Sequence, residues 1–225
     1  YMTNPLCAAL RADGIPFWNP YSKERGNFNP LHPSKGVSTV QRLLAFLKPS
    51  RECYGDQAKL WNWSEFHSWV ELCTADGWLR HGAKVNIKRR AAETPTQVMS
   101  LEDIDGVLAG PEILADLQDV NLDFLGRFIS DQKVNAYNFA VDVVRRRGYN
   151  DLLTNPRVVV GTIHSVKGAE ADHVILCPDL STQGWETFGT STHRDSIHRL
   201  FYVGLTRAYR RLVLTAPSTP QAVQW

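Results

Sequence analysis

The chain has 225 residues, 43% hydrophobic and 21% charged, with a formal net charge of +2. It is long enough for one good core or two small ones, has the make-up of an ordinary soluble globular protein, and neither demands nor excludes nucleic acid by charge alone. No stretch approaches the roughly 18 apolar residues of a membrane span. Cys7, Cys53, Cys73 and Cys177 are scattered without a C-x-x-C pair or matching histidines, which argues against a disulfide frame or zinc site and for a reducing, cytoplasmic setting. No signal peptide precedes the fold, and the opening Tyr1-Met2-Thr3 reads as the start of a fragment.

In chain order, a helix is expected over 4–12, stopped by Asp13-Gly14, and then a short strand over 15–18. A loop rich in Pro, Asn and Gly occupies 19–35. The next helix, 38–47, carries Val40, Leu43, Leu44 and Leu47 on one face and stops before Pro49. Residues 49–150 read as almost wholly helical. Trp61, Trp63, Phe66, Trp69 and Val70 form an aromatic stripe, followed by Ile113, Leu114 and Leu117, by Phe124, Phe128 and Ile129, and by Phe139, Val143 and Val144. Such a stripe can stack bases, but its helical spacing favours core packing. The only strand signal here is a weak one at 84–87.

From 151 the texture returns to strands and helices: strand 157–163, a polar loop, strand 173–177, helix 195–208 and strand 211–216. The alternation predicts a parallel α/β sheet. The domain it forms has two halves, 1–48 and 151–225, with a helical insertion at 49–150. Its apolar strand runs, Val158–Val160 leading to Ile163 and Val174–Leu176, are expected to be buried. Basic spots at Lys88-Arg89-Arg90, Arg145-Arg146-Arg147 and Arg210-Arg211 stand out on the nearly neutral chain.

In open parallel sheets, ligands sit beyond the carboxyl ends of the strands. The loop Thr162-Ile163-His164-Ser165-Val166-Lys167-Gly168-Ala169-Glu170 lies there. Its short hydroxyls, the free amides near Gly168 and the Lys167 ammonium suit phosphate oxygens. Glu170 accepts only, so it suits a hydroxyl or a cation. The plainer reading makes Ser165 a cap of a short helix and leaves Lys167 solvated. In the helix that follows, Ile197, Leu200, Phe201, Gly204 and Leu205 form the buried stripe, while Arg199 and Thr206 lie opposite. Arg207 flanks the stripe near the helix end, where a positive charge is mildly favourable in its own right.

Together the two stretches resemble motifs of the C-terminal motor domain of UvrD/Rep-type superfamily 1 DNA helicases. The loop is similar to the family's T-[LI]-H-S-x-K-G-x-E. Arg199-Leu200-Phe201-Tyr202-Val203-Gly204-Leu205-Thr206-Arg207-Ala208 is similar to R-L-x-Y-V-[GA]-x-T-R-A. The opening Y-M-T-N and the later G-I-P-F resemble another family segment, with Met2 where arginine is common. The resemblance implies a RecA-like parallel sheet domain, usually called 2A, interrupted by a reduced form of the accessory domain called 2B. It implies an arginine finger at Arg207 and nucleotide contacts from Gly168 and Glu170. Thr162, His164, Ser165 and Lys167 would couple nucleotide to single-stranded DNA. The implied activity is that of an ATP-dependent DNA helicase in repair or replication.

No G-x-x-x-x-G-K-[ST] occurs in the chain, so no loop here cradles the β- and γ-phosphates or holds Mg²⁺ through a hydroxyl. ATP and Mg²⁺ are therefore expected mainly on a first RecA-like domain outside this chain. Alone, the chain is expected to be monomeric and inactive as an ATPase. A rival reading is a helicase-derived module that binds DNA or a partner without catalysis. An independent phosphotransfer enzyme is disfavoured, for want of a nucleotide cradle and of paired acids for a metal.

Overall fold

In the computed structural model, residues 3–19, 37–48, 59–190 and 193–224 are described. They run in the order α1 (Thr3–Ala12), β1 (Phe17–Trp18), α2 (Thr39–Leu47), α3 (Trp63–Val70), α4 (Ala83–Glu93), α5 (Leu101–Val107), α6 (Glu112–Gln118), α7 (Leu122–Gly126), α8 (Val134–Arg147) and α9 (Asn150–Leu153). Then come β2 (Val158–Val159), β3 (Ala171–Leu176), α10 (Thr182–Gly189), α11 (Arg194–Leu205) and β4 (Ala208–Leu214). The expected loop at 19–35, apart from Asn19, lies outside the described residues, as do Tyr1, Met2 and Pro49. Among the described residues no helix is long and apolar enough to cross a membrane.

The fold is α/β. The described residues fall into two compact units, within bounds of Tyr1–Phe28 plus Pro156–Trp225 for one and Asn29–Asn155 for the other. The division differs from the one expected at 48/49 and 150/151. Helix α2 packs in the helical unit: the Phe46 ring lies parallel to Trp61 at 5.9 Å and edge-on to Trp69 at 5.1 Å. At the other end α9 buries Leu152 and packs on α8.

The helical unit starts its helices with side-chain caps. Ser38 accepts from the Gln41 amide while the Gln41 side chain accepts from the Ser38 amide, at 3.1 and 2.9 Å. Asn62 with Glu65, and Ser100 with Asp103, do the same for α3 and α5. Each pair satisfies two amides that helix geometry leaves without partners. The aromatic stripe is core: Trp61, Phe66 and Trp69 are 0% exposed and Trp63 is 2% exposed. Three cations close the carboxyl end of α3. Arg42 donates to the Ser68 carbonyl at 2.8 Å, Lys84 to Cys73 at 2.5 Å, and Lys133 to Glu71. The strand expected at 84–87 is instead part of α4. Its Ile87 is buried one turn from buried Ala83, and Val85 is 74% exposed, a helical rather than alternating pattern.

In the α/β unit, β1 pairs with β2 and β3 with β4, both in parallel, as two two-stranded sheets. The sheets are shorter and more open than the sequence suggests. Only Val158 and Val159 of the expected strand 157–163 form a ladder, because β1 offers two residues to pair with and the chain then turns at Ile163. Val160 is buried, but Val159 is 50% and Ile175 70% exposed, since a two-stranded sheet with one covered face cannot hide both. Helix α11 ends at Leu205, three residues short of expectation, because Ala208 already pairs with Ala171 in β4. The unit's core gathers Leu176, Leu180, Ile197, Phe201 and Val223. Gly204 brings α11 close to β3: a Cβ there would meet Ile163 and Leu176 methyls at 3.2 Å.

Candidate functional site

The loop after β2 is a tight turn built from its own hydroxyls. Thr162 Oγ1 accepts from the Ser165 amide at 3.3 Å, and Ser165 Oγ donates back to the Thr162 carbonyl at 2.8 Å. The single 3₁₀ turn His164–Val166 is closed by the Lys167 amide on the His164 carbonyl at 3.4 Å, and the Ala169 amide reaches Val166 at 3.0 Å. Ser165 is therefore a turn-former whose hydroxyl proton is engaged, and its amide is capped by Thr162 rather than the reverse. At Gly168 the chain takes φ +84°, with open space where a Cβ would stand. Glycine meets that left-handed conformation without strain, and it leaves His164, Lys167 and Gly168 exposed at the tip.

The loop's far end and the turn after α11 are stitched together. The Ala171 amide donates to the Arg207 carbonyl at 3.0 Å, and Ala171 and Ala208 are ladder partners. Residues 37 positions apart thus meet where β3 and β4 begin. Glu170 accepts a hydrogen bond from the Tyr209 hydroxyl, which holds the Tyr209 phenol above its ordinary pKa because its proton is shared with a carboxylate. The hydroxyl partner that an acceptor-only Glu170 calls for is present in the chain itself. Tyr209 lies one residue past the resemblance motif, and only its place beside Glu170 across the ladder marks it.

Arg207 is half-buried and folded back on its own helix end. Its Nε donates to the Val203 carbonyl at 3.0 Å, and Nη2 lies 3.2 Å from Thr206 Oγ1. The expected projection past the edge of the domain is thus not its conformation here. The Val203 carbonyl, left open where α11 ends, holds it. The remaining guanidinium donors stay available.

Thr162 and His164 line a cleft of about 630 Å³ together with Thr3, Val159, Ile175 and Asp179, whereas Lys167, Gly168, Glu170 and Arg207 do not. The expected site residues thus fall into two places, the cleft rim and the β3–β4 mouth. Most basic spots are already paired. Arg89 meets Glu93 at 3.0 Å, Arg145 meets Asp123 at 2.6 Å, Arg210 meets Asp172 at 3.2 Å, and Arg90 sits 4.9 Å over the Trp63 ring. Surface pairs of this kind contribute little to stability.

Residues 142–219 match a family model described as the UvrD-like helicase C-terminal domain. The matched span holds β2, the polar loop, β3, α11 and β4. No curated protein and no solved structure matches the chain.

Proposed function

Proceeding from residues 142–219 as a member of the UvrD-like helicase C-terminal domain family, we propose that the chain is the second motor domain of an ATP-dependent DNA helicase. In this reading it contributes the arginine finger and the DNA-coupling loop to a nucleotide held mainly by a first, P-loop domain. The observation that carries the reading is the bond from the Ala171 amide to the Arg207 carbonyl. It brings Ala171, the chain neighbour of Glu170, against Arg207 just past the end of α11.

The residues present fit half of a nucleotide site. Arg207 offers a planar, permanently charged fork to phosphate oxygens, and Glu170 an acceptor to ribose hydroxyls. Gly168 leaves room for close approach. In this reading Mg²⁺ is carried by the other motor domain, since the chain has no G-x-x-x-x-G-K-[ST] hydroxyl to hold it. Closure of the two domains would draw Arg207 off Val203 and Thr206 and towards the transferring phosphoryl group, where electrostatic stabilisation is worth most. His164 and Lys167, exposed at the loop tip, would meet single-stranded DNA at its phosphates. Turnover would thus depend on domain closure, and closure on DNA.

The reading is tested on the chain itself with a labelled single-stranded oligonucleotide. We expect micromolar or weaker binding, with a log–log salt slope of about −0.7 per phosphate neutralised. His164→Ala with Lys167→Ala should make that slope shallower by about one contact or more. Salt-independent binding, or no change in slope in the double variant, would overturn the coupling role. A reading frame around the chain with no G-x-x-x-x-G-K-[ST] would leave a binding module without catalysis.

A further inference from the structure

Cations from three separate elements converge on the carboxyl end of α3. Arg42 of α2 donates to the Ser68 carbonyl at 2.8 Å, Lys84 of α4 to the Cys73 carbonyl at 2.5 Å, and Lys133, just ahead of α8, to the Glu71 carbonyl. All three are half-buried, so water screens their mutual repulsion incompletely. Exposed Lys88 adds a fourth charge, felt at His67 together with those of Arg42 and Lys84. The negative charge at hand does not balance them. A helix end carries only about half an elementary charge, and Glu71, 3.7 Å from His67 Nε2, supplies one more. Among the described residues no carboxylate forms an ion pair with Arg42, Lys84 or Lys133. Lys84 and Lys133 also stand at the starts of α4 and α8, where the helix dipole opposes a cation and neither first turn has an acidic residue. Donors are left over as well. Each ammonium makes one of its three possible hydrogen bonds, and the buried Nε2 of His67 has no hydrogen-bond partner.

We propose that Arg42, His67, Lys84 and Lys133 together bind a compact polyvalent oxyanion of the phosphate class, of which inorganic phosphate is the simplest member. A doubly charged anion brings the cluster close to neutrality. Its oxygens accept charge-assisted hydrogen bonds from the remaining ammonium and guanidinium donors and from the His67 ring. Convergence on a single helix end sets the size of the occupant. The carbonyls that gather the three cations lie within six residues of chain, Ser68 to Cys73. A nucleic-acid strand needs cations spaced along a track instead, and Arg89 and Arg145, which could extend one, are held by Glu93 and Asp123. Burial lowers the Lys133 pKa, and Arg42 and Lys84 lower it further against the pull of Glu71, as expected of a cation short of counter-charge. The site lies wholly within the helical unit, and the inference is independent of the motor role proposed above.

The test follows the His67 ring protons by nuclear magnetic resonance while inorganic phosphate is added to the chain, with sodium chloride at equal ionic strength as the control. We expect a saturable shift in phosphate, half-complete at about 1–10 mM as a few charge-assisted bonds would give, and none in chloride. Sulfate, doubly charged at every working pH, should raise the His67 titration midpoint, because a bound anion favours the charged ring. Lys84→Met with Lys133→Met should weaken phosphate binding at least about tenfold. If that variant fails to fold, Glu71→Gln gives the opposite readout with every cation in place. Removing the resident carboxylate should tighten binding at least about threefold, and the Glu71 carbonyl still accepts from Lys133. Three results would overturn the proposal. They are a shift in phosphate no larger than in chloride, equal affinity in the parent and Glu71→Gln, or displacement of phosphate by an oligonucleotide without terminal phosphates, which would make the cluster a strand contact.

Discussion

In the helical unit Trp61, Trp63, Trp69 and Trp78 are each at most 2% exposed, whereas in the α/β unit Ile175 and Tyr209 are 70% and 71% exposed. The first unit closes on itself, with side-chain caps on its helices, cations on the carboxyl end of α3 and aromatic rings interlocked between elements. The second leaves strand edges, a sheet face and a cleft open, and every residue of the candidate site lies on those open parts. A surface already used for packing cannot also bind. Stability therefore concentrates where the motifs are absent, and the motifs lie where burial is incomplete.

The largest effect expected on this contrast is in the aromatic core. Trp69 meets Phe46, Trp61, Phe66 and Trp78, with ring centroids between 4.6 and 5.8 Å. Trp69→Ala should cost about 3–5 kcal/mol, read as loss of near-ultraviolet circular dichroism and a lower denaturant midpoint. Asp179 gives the comparison from the other unit. Its carboxylate accepts from the Ser218 and Thr219 amides and the Thr219 hydroxyl at 2.7 to 3.2 Å, tying down the segment that brings Val223 into the core. Asp179→Ala should cost about 1–2 kcal/mol. Burial pulls the Asp179 pKa upward, but the hydrogen bonds from Ser218 and Thr219 prevail and hold it below the ordinary value. Its contribution is present above the unfolded pKa and fades as pH falls through the folded one. A loss from Asp179→Ala as large as that from Trp69→Ala would break the comparison.

The smallest effect belongs to His67. Burial lowers its pKa, the Glu71 carboxylate 3.7 Å away opposes that, and Arg42, Lys88 and Lys84 lower it further. A histidine depressed in the folded state prefers to be neutral there. The helical unit should therefore lose stability as pH falls from about 6.5 through the folded value. Solvent contact at 28% exposure screens the effect and keeps it below the other two. Melts at pH 7 and pH 5 should differ less in His67→Gln than in the parent; an unchanged difference would assign the pH dependence elsewhere.

Much of the layout is legible in the sequence because periodicity and stop signals are local. The expected helices at 4–12, 38–47 and 195–208 meet α1, α2 and α11 within a few residues. The unit boundary is not legible at Pro49, since a proline ends a helix whichever unit owns it, and α2 is claimed by Trp61 and Trp69. Strand lengths fail for a related reason. Val158–Val160 is one apolar run leading to Ile163, and only the two-residue β1 decides how much of it pairs. At the candidate site, residue types and spacing point to Thr162–Glu170 and Arg207, but three features depend on which hydrogen bonds the side chains make, and spacing does not set those. They are the mutual engagement of Thr162 and Ser165, the Tyr209 hydroxyl on Glu170, and the folding back of Arg207 on Val203.

The most direct test of the central claim is the turnover number for ATP with saturating single-stranded DNA, measured in the complete protein for Arg207→Ala and Arg207→Lys. Arginine fingers in phosphoryl transfer are typically worth about 10³–10⁵ in rate. The account predicts a fall of at least roughly 10²-fold for alanine. It predicts poor rescue by lysine, which keeps the charge but loses the planar fork. Thermal melts should change little, since Arg207 holds only the Val203 carbonyl and Thr206 at its own helix end and such contacts are worth about 1 kcal/mol. Near-parental turnover in a well-folded Arg207→Ala protein would contradict the account and leave this arginine as a helix-end charge.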